Sequence, residues 1–489
     1  AAGAKSAVFT GGRLTVEDAY SYAKFARSVL GTDNIDFRSR AASAEEVNFL
    51  GAEVAGRFDG VTYADLEKAP VVLLVDLEPE DESPIVFLRL RKASRRGLRV
   101  ASVAPFASAG LEKLNGTLLM AAPGEQPALI SALANETAEG SPGDTARLLR
   151  QAGAVIAVGE RAAQTPGTLS AVSALASATG ARIAWIPRRA GERGALDVGA
   201  LAGLLPGGRP LDNDEARTQV AGQWGVAASA LPTSTGLSLA EVVAAVHADD
   251  EAIANATDPS KVERNIEALL IAGVESGDLA DPAAFLGALD SVFVVSLEQR
   301  HSEVTQRADV VLPIAAVAEK TGSFTNWEGR TQTFGQVLRG SLTLSDARVL
   351  SMIAADMGAP IVSADVSEIR AEIRQIGPWS GARIEAASQM SVDAPVLAAG
   401  EAVVASWRPL LDRGVLQEGD PYLAATARPV VARLSRATAQ AAGATDVVVV
   451  STDTGSCELP LVVTQMPDGV IWLALNSEGS TIRSTLGVG

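Results

Sequence analysis

Metal ligands are almost absent from this chain. Among its 489 residues there is one cysteine, Cys457, and there are two histidines, His247 and His301. An iron–sulfur cluster takes about four cysteine ligands, and a structural zinc takes about four Cys or His ligands. Neither site can be built from this chain alone, so no iron–sulfur or other metal site is expected from these residues. Each of the three residues has a structural place. Cys457 sits in a strand-like alternation as a small packed hydrophobe, His247 ends the helical run EVVAAVHADD, and His301 lies in a polar connection. Long apolar runs are missing too: none approaches the ~20 residues of a membrane span, which excludes direct membrane insertion by a helix. Positive charge is in deficit, with 41 Lys and Arg against 58 Asp and Glu and a net charge of −17. That balance argues against nucleic acid or an anionic lipid surface, which need clustered Lys and Arg, and leaves protein partners open. There is no Walker A sequence and no G-x-S-x-G elbow, and two histidines leave little room for a Ser-His-Asp triad. Paired carboxylates are too common here to be diagnostic. The opening residues, Ala1-Ala-Gly-Ala-Lys-Ser, have neither an initiating Met nor a signal-peptide core, so the sequence is expected to be a piece of a longer or processed chain.

What is present reads as a large α/β protein. With 489 residues and 47% apolar content the chain can hold several domains and a sizeable core. Thr15-Val-Glu-Asp18 fits a helix start of capping-box type with Asp in the usual Glu position. Val16, Ala19, Ala23, Ala26 and Leu30 follow on one face, and Gly31 closes the helix. Apolar runs at 71–75, 98–104, 154–158, 182–186, 268–272 and 292–296 predict buried strands, with helices at 85–96, 168–178 and 282–289 between them. Strands alternating with helices imply parallel sheets covered on both faces. Residues 205–239, rich in Pro, Gly, Ser and Thr, read as a connection between subdomains. The tail is β-rich at 446–450, 458–464 and 470–475, with turns at Asp453-Thr-Gly and Pro467-Asp-Gly.

The densest set of chemically suggestive residues lies at 307–334, RADVVLPIAAVAEKTGSFTNWEGRTQTF. Asp309-Val-Val-Leu predicts a short buried strand ended by Pro313, which lacks a backbone donor. A helical turn at 315–317 is expected next, then a polar loop at 319–330 with two glycines, Gly322 and Gly329. Such a loop at the carboxyl end of a parallel strand is where open α/β sheets place ligands.

This stretch resembles the "ADVVLP…E…G(T/S)(F/Y)TN.EGR" segment of the molybdopterin oxidoreductase superfamily. It is most similar to the branch found in the large iron–sulfur (G) subunit of bacterial NADH:quinone oxidoreductase, respiratory complex I. Further segments carry the resemblance: LPGGRP, QWG and LPTSTGLS between the units, Thr445-Asp446-Val-Val-Val-Val-Ser-Thr-Asp-Thr-Gly near the end, and the closing MPDGVIWLALNSEGSTIRSTLG. The resemblance implies two interleaved, doubly wound α/β/α units with parallel sheets and a C-terminal β-barrel. It divides the chain into a first unit at 1–60 and 262–375, an inserted second unit at 65–205, a connecting segment at 206–261, a linker at 376–425 and the barrel at 426–489.

Catalytic members of that superfamily hold their metal through pterin dithiolenes and one protein ligand in a "GT.N.D…R.C" context. The counterpart here is Gly31-Thr-Asp-Asn-Ile-Asp-Phe-Arg-Ser-Arg-Ala-Ala-Ser43, which puts Ala42 at the ligand position. A methyl group cannot coordinate a metal; Ser43 would offer a hydroxyl only if the register slipped. The loop after the strand at 71–75, residues 76–82, carries five carboxylates in seven residues, and residues 273–279 carry further acids. Such loops repel a pyrophosphate and are expected to be solvated. The vestigial pocket positions implied are Ala42, Glu319, Asn326, Glu328 and Arg330, with Arg330 expected to be buried against a glutamate and to hold the pocket closed.

The resemblance therefore implies a cofactor-free structural region with no catalytic residue of its own. Its partners would be other complex I peripheral-arm subunits, at the cytoplasmic face of the inner membrane. [2Fe-2S] and [4Fe-4S] clusters would lie in N-terminal domains outside this sequence. The alternatives are an active molybdopterin-dependent oxidoreductase of formate or nitrate type with an atypical ligand, and a standalone nucleotide-binding module.

Overall fold

The computed structural model describes residues 5–135, 137, 139–387, 397–398 and 400–488. The chain divides into two compact units, one of residues 1–40, 50–58 and 189–385, the other of 41–49, 59–188 and 386–489.

The first unit is built on an all-parallel sheet of five strands in the order Val310–Pro313, Phe293–Glu298, Ala268–Ala272, Ser6–Thr10, Ile35–Asp36. Every residue of Ser6–Thr10 is buried, the state that an unbroken apolar run allows only in a sheet covered on both faces. Phe9, Val242, Val246, Ile271, Phe285 and Val294 pack into one core. The helix Val16–Phe25 starts as its sequence dictates. The Thr15 hydroxyl oxygen accepts the Asp18 N–H at 3.2 Å and its proton goes to the Asp18 carboxylate at 2.7 Å. Gly31, at φ 68°, closes the wider turn Ala26–Leu30 that continues the helix.

Residues 205–239 are more ordered than their composition suggests. They hold a helix, Asp214–Trp224, capped by the Asn213 side chain, which accepts the Ala216 N–H at 3.0 Å. Ala216, Val220, Ala221 and Trp224 form its buried face. The Trp224 indole N–H reaches the Tyr20 hydroxyl at 2.8 Å. The whole segment belongs to the first unit, and the boundary expected at 205 falls after Arg188. Pro and Gly crowd the ends of the segment, whereas the helix is set by a 3/4-spaced apolar face between them.

The second unit has its own five-stranded parallel sheet, in the order Thr117–Met120, Arg99–Ala104, Val71–Val75, Val155–Gly159, Arg182–Ile186. Its C-terminal part is a mixed sheet of Val403–Trp407, Val470–Ala474, Ala432–Leu434, Ser456–Val463 and Val447–Ser451. This sheet is the form the expected barrel takes. It starts at Val403 rather than near 426, because Val403–Trp407 pairs along its whole length with Val470–Ala474. The linker expected at 376–425 lies partly outside the described residues, at 388–396 and 399. Phe106 stacks on Trp407 at 5.2 Å between ring centres, and Trp407 lies 4.8 Å from Trp472; with Ala405, Val470 and Ala474 they make one core.

Candidate functional site

In open α/β sheets ligands bind beyond the carboxyl ends of the strands, where the strand order reverses. The first unit reverses between Ser6–Thr10 and Ala268–Ala272, the second between Val71–Val75 and Val155–Gly159. In both places the protein's own charged side chains occupy the ground.

At the first switch point, Gly11 and Gly12 follow the strand. A Cβ on Gly11 would lie 2.0 Å from the Gly273 carbonyl oxygen, and one on Gly12 would lie 2.7 Å from both Arg189 Cδ and Glu192 Cγ. Only glycine lets the chain pass so close. Arg189 donates to Glu192 at 3.0 Å and to Asp278 at 2.6 Å, and Arg40 donates to Glu192 at 3.3 Å. All four side chains are buried. The acidic loop 273–279 is therefore not simply solvated: Asp278 is drawn inside because a guanidinium answers its charge.

The GT.N.D…R segment leads into this cluster. Arg27 donates to Asp33 at 2.7 Å and to the carbonyls of Gly199, Leu201 and Leu204 at 2.7, 2.9 and 2.8 Å. The other Asp33 oxygen accepts the Gly203 and Gly236 N–H groups at 2.7 and 2.9 Å. Arg38 forks onto Asp36 at 3.0 and 2.9 Å. The motif's polar residues thus tie one stretch of backbone to another.

At the second switch point the loop 76–82 also departs from the expectation of a solvated run. Asp76, Glu78 and Glu82 are 7, 7 and 8% exposed, and Pro79–Glu82 forms a helical turn. Asp76 sits at φ 46°, a left-handed conformation open to Asp. Arg161 forks onto Glu82 at 2.8 and 3.0 Å and stands 4.0 Å from Asp76. Gln126 donates to Asp76 at 3.3 Å, the Ser108 hydroxyl bonds Glu78, and Glu82 accepts the Glu78 N–H at 2.7 Å. Three of the five carboxylates fold inward because a buried cation and several N–H and O–H donors meet them there. Burial raises the Asp76 pKa, against the pull of Arg161.

Burial also raises Glu78 from 4.5 to about 7, with Ser108 opposing and Asp81 and Glu82 adding to the rise. Because its folded-state pKa is the higher one, the folded chain keeps a proton there that the unfolded chain releases. Stability from this group is full below pH 4.5 and is lost as pH rises through about 7. Glu78→Gln is expected to be more stable than the parent at pH 8, by up to about 3 kcal/mol, and to match it at pH 4. Urea unfolding at the two pH values checks this; an advantage that persists at low pH would exclude the ionisation as its source.

The five expected pocket positions are placed as follows. Ala42 is half-buried just before the helix Ala44–Phe49, in the second unit. Neighbouring Ser43 accepts the Glu46 N–H at 3.4 Å. Glu45 accepts the Gly167 and Ser170 N–H groups at 2.8 and 2.6 Å, at the start of the helix Thr168–Thr179. The other four lie in the first unit: Glu319 in a short turn, and Asn326, Glu328 and Arg330 on what is a hairpin, Gly322–Thr325 paired with Thr331–Phe334, rather than an open polar loop. Asn326 builds its turn. Its side-chain oxygen accepts the Glu328 and Arg330 N–H groups at 3.1 and 3.0 Å, and its amide donates to the buried Glu328 carboxylate at 2.7 Å.

Glu319 closes the short turn Val317–Glu319 by accepting the Ala316 N–H at 2.9 Å, which holds its carboxyl below the usual range. Arg330 is exposed, and among the described residues its guanidinium makes no ion pair, so it does not pair with a glutamate to close a pocket. The hairpin turn carries its side chain outward. The strand Val310–Pro313 is likewise not buried: it is the sheet edge, with Val310 and Val311 37 and 42% exposed. An apolar run has the same look in an edge strand as in a central one.

Arg161, Arg189 and Glu192, which fill the two switch points, carry no motif signal. The one sequence clue to them was indirect: a carboxylate-rich turn directly after a buried strand needs cations from elsewhere in the chain.

These features, two doubly wound parallel sheets and a hairpin after the edge strand of the first, define the molybdopterin oxidoreductase fold. The model of the family "Molybdopterin oxidoreductase" matches residues 2–343, and the chain belongs to that family. Within it, the chain is 53% identical over 496 residues to the G subunit of NADH-quinone oxidoreductase from Mycobacterium bovis. It is 50% identical over 508 residues to the protein of the same name from Streptomyces coelicolor. These matches take in 100% and 99% of this chain, and the chain spans 58% of the length of each relative. Formate dehydrogenase H of Escherichia coli is 24% identical over 413 residues, covering 74% of this chain and 55% of that protein. Among solved structures, acetylene hydratase from Pelobacter acetylenicus superposes with a TM-score of 0.62 at 15% identity, over 96% of this chain and 79% of that one, a likeness of fold alone.

Proposed function

We propose that this chain is the molybdopterin oxidoreductase-like region of a complex I G subunit, and that it serves NADH-to-quinone electron transfer as a cofactor-free brace for the cluster-bearing domains. The 50–53% identity to the G subunits supports the assignment to that assembly. The self-filled switch points carry the structural reading. A pterin dinucleotide needs open backbone N–H groups and glycine-rich turns for its pyrophosphate. Here Arg189 and Glu192 press against Gly12, and Asp76, Glu78 and Glu82 surround Arg161. The ligand position is Ala42, which has no donor atom, and the Ser43 hydroxyl is taken by the Glu46 N–H. The residues present do not fit the group, and no reaction step is assigned to it.

Partners are then the neighbouring peripheral-arm subunits, at the cytoplasmic side of the inner membrane. Among the described residues no helix is long and apolar enough to cross a membrane.

Elemental mass spectrometry for molybdenum and tungsten, with fluorescence of oxidised pterin, tests the reading on the purified chain. The expected result is background metal and no pterin. Near-stoichiometric molybdenum or tungsten would overturn it and make Ser43 the ligand to mutate.

A further inference from the structure

A cavity of about 100 Å³ opens within the second unit, beside the loops that follow Val71–Val75 and Arg99–Ala104. Its wall is mostly apolar: Phe106, Trp407 and Trp472, completed by Pro409, Pro429 and Val430. One buried donor on that wall lacks an acceptor, and one cation there has no carboxylate bonded to it. The Trp472 indole N–H is buried and has no hydrogen-bond partner, and the residue is 7% exposed. The other indole does have one, since Trp407 donates to Asp81 at 3.0 Å. Arg433 is half-buried over the rings of Phe106 and Trp472, at 5.3 and 5.7 Å. Among the described residues its side chain bonds the Thr464 hydroxyl at 3.2 Å and makes no ion pair, though the charge of Glu112 acts on it from further off.

The carboxylates on the wall are already answered. Asp81 takes the Trp407 indole, the Leu410 N–H at 3.3 Å and Arg428 at 3.6 Å. Glu78 takes the Ser108 hydroxyl and the Glu80 N–H at 3.2 Å, and burial, which raises its pKa to about 7, keeps it protonated below that pH. What remains open is therefore donor-only, an indole N–H and a guanidinium beside an apolar space the size of one ring. Buried donors are rarely left unmet, and a guanidinium pairs most strongly with a carboxylate.

We infer that this cavity binds a small monocarboxylate with a compact apolar body, its carboxylate held by Arg433 and the Trp472 N–H and its body against Phe106 and the proline-rich wall. This stands apart from the complex I reading and holds or fails without it.

Benzoate is the probe, titrated into the 489-residue chain by calorimetry, with tryptophan fluorescence recorded alongside. Saturable one-to-one binding is expected. Benzamide, neutral and of the same shape, is expected to bind at least about ten-fold more weakly, as is benzoate to Arg433→Gln, the loss of one charge-assisted pair. Trp472→Phe keeps the ring and removes the N–H, and is expected to weaken benzoate several-fold. Thermal melts of both variants confirm that they fold; should Arg433→Gln not fold, the benzoate–benzamide comparison on the parent chain decides. Absence of saturable benzoate binding, equal binding of benzamide, or displacement of benzoate by a purine mononucleotide would each overturn the inference.

Discussion

Arg161→Met lowers the stability of the second unit by about 3–5 kcal/mol, the penalty expected when one partner of a buried ion pair is removed. The guanidinium is the positive centre of a loop that buries Asp76, Glu78 and Glu82, and it forks onto Glu82 at 2.8 and 3.0 Å. Without it the Glu82 charge has only the Glu78 N–H, at 2.7 Å, and Asp76 keeps only Gln126. Burial already raises the Asp76 and Glu78 pKa values, and removing the cation pushes Asp76 further, because Arg161 is the first of the forces opposing that rise. The variant is therefore expected to recover stability at low pH, where the carboxyls are protonated, and to be weakest at pH 8. Urea unfolding followed by the fluorescence of Trp407 and Trp472, both in this unit, measures the effect. The double variant Arg161→Met, Glu82→Leu is expected to regain part of the loss, since it removes both charges together. A single variant within about 1 kcal/mol of the parent would mean that the cluster is hydrated and would remove the main support for a self-filled switch point.

Arg27→Met is expected to cost the first unit a similar amount, about 3–5 kcal/mol. Arg27 is 0% exposed and makes four hydrogen bonds, to Asp33 and to the carbonyls of Gly199, Leu201 and Leu204. Truncation leaves three carbonyls without that donor and leaves Asp33, whose pKa burial already raises, without its cation. Arg27→Lys restores the charge but not the planar fork, and is expected to fall between the two. Hydrogen exchange checks the location: the Gly203 and Gly236 N–H groups, held by Asp33 at 2.7 and 2.9 Å, should lose protection first. Unchanged protection there would show that Asp33 holds its place without Arg27.

Both predictions bear on why a motif read as cofactor machinery persists beside an alanine at the ligand position. Asp33 and Asp36 serve as anchors for backbone and for arginines. The chemical role attached to the pattern is separable from the packing role of its residues. Sequence alone showed the pattern, and its resemblance puts Ala42 at the implied ligand position. It gave no sign that Asp33 reaches Gly203 and Gly236, some 170 and 203 positions away.

What the sequence determined by itself was the class of protein and most of its strands. Runs such as Val71–Val75, Arg182–Ile186 and Ala268–Ala272 are contiguous and bounded by turn residues, so local pattern suffices to place them. The near-absence of Cys and His likewise leaves the chain short of the cysteine ligands, about four, that a cluster takes. Only the tertiary structure decided the fate of the charges. Whether a carboxylate is solvated or buried depends on which cation the fold brings to it, and Arg161 stands 79 positions from Glu82, while Arg189 stands 89 from Asp278. Local composition therefore made 76–82 look like a surface loop, and the family resemblance implied a buried Arg330 where the hairpin turn faces it to water. The donor-only cavity at Trp472 and Arg433 is of the same kind. Its aromatic walls come from strands and loops far apart in the chain, and the unmet Trp472 N–H exists only once the sheets have packed.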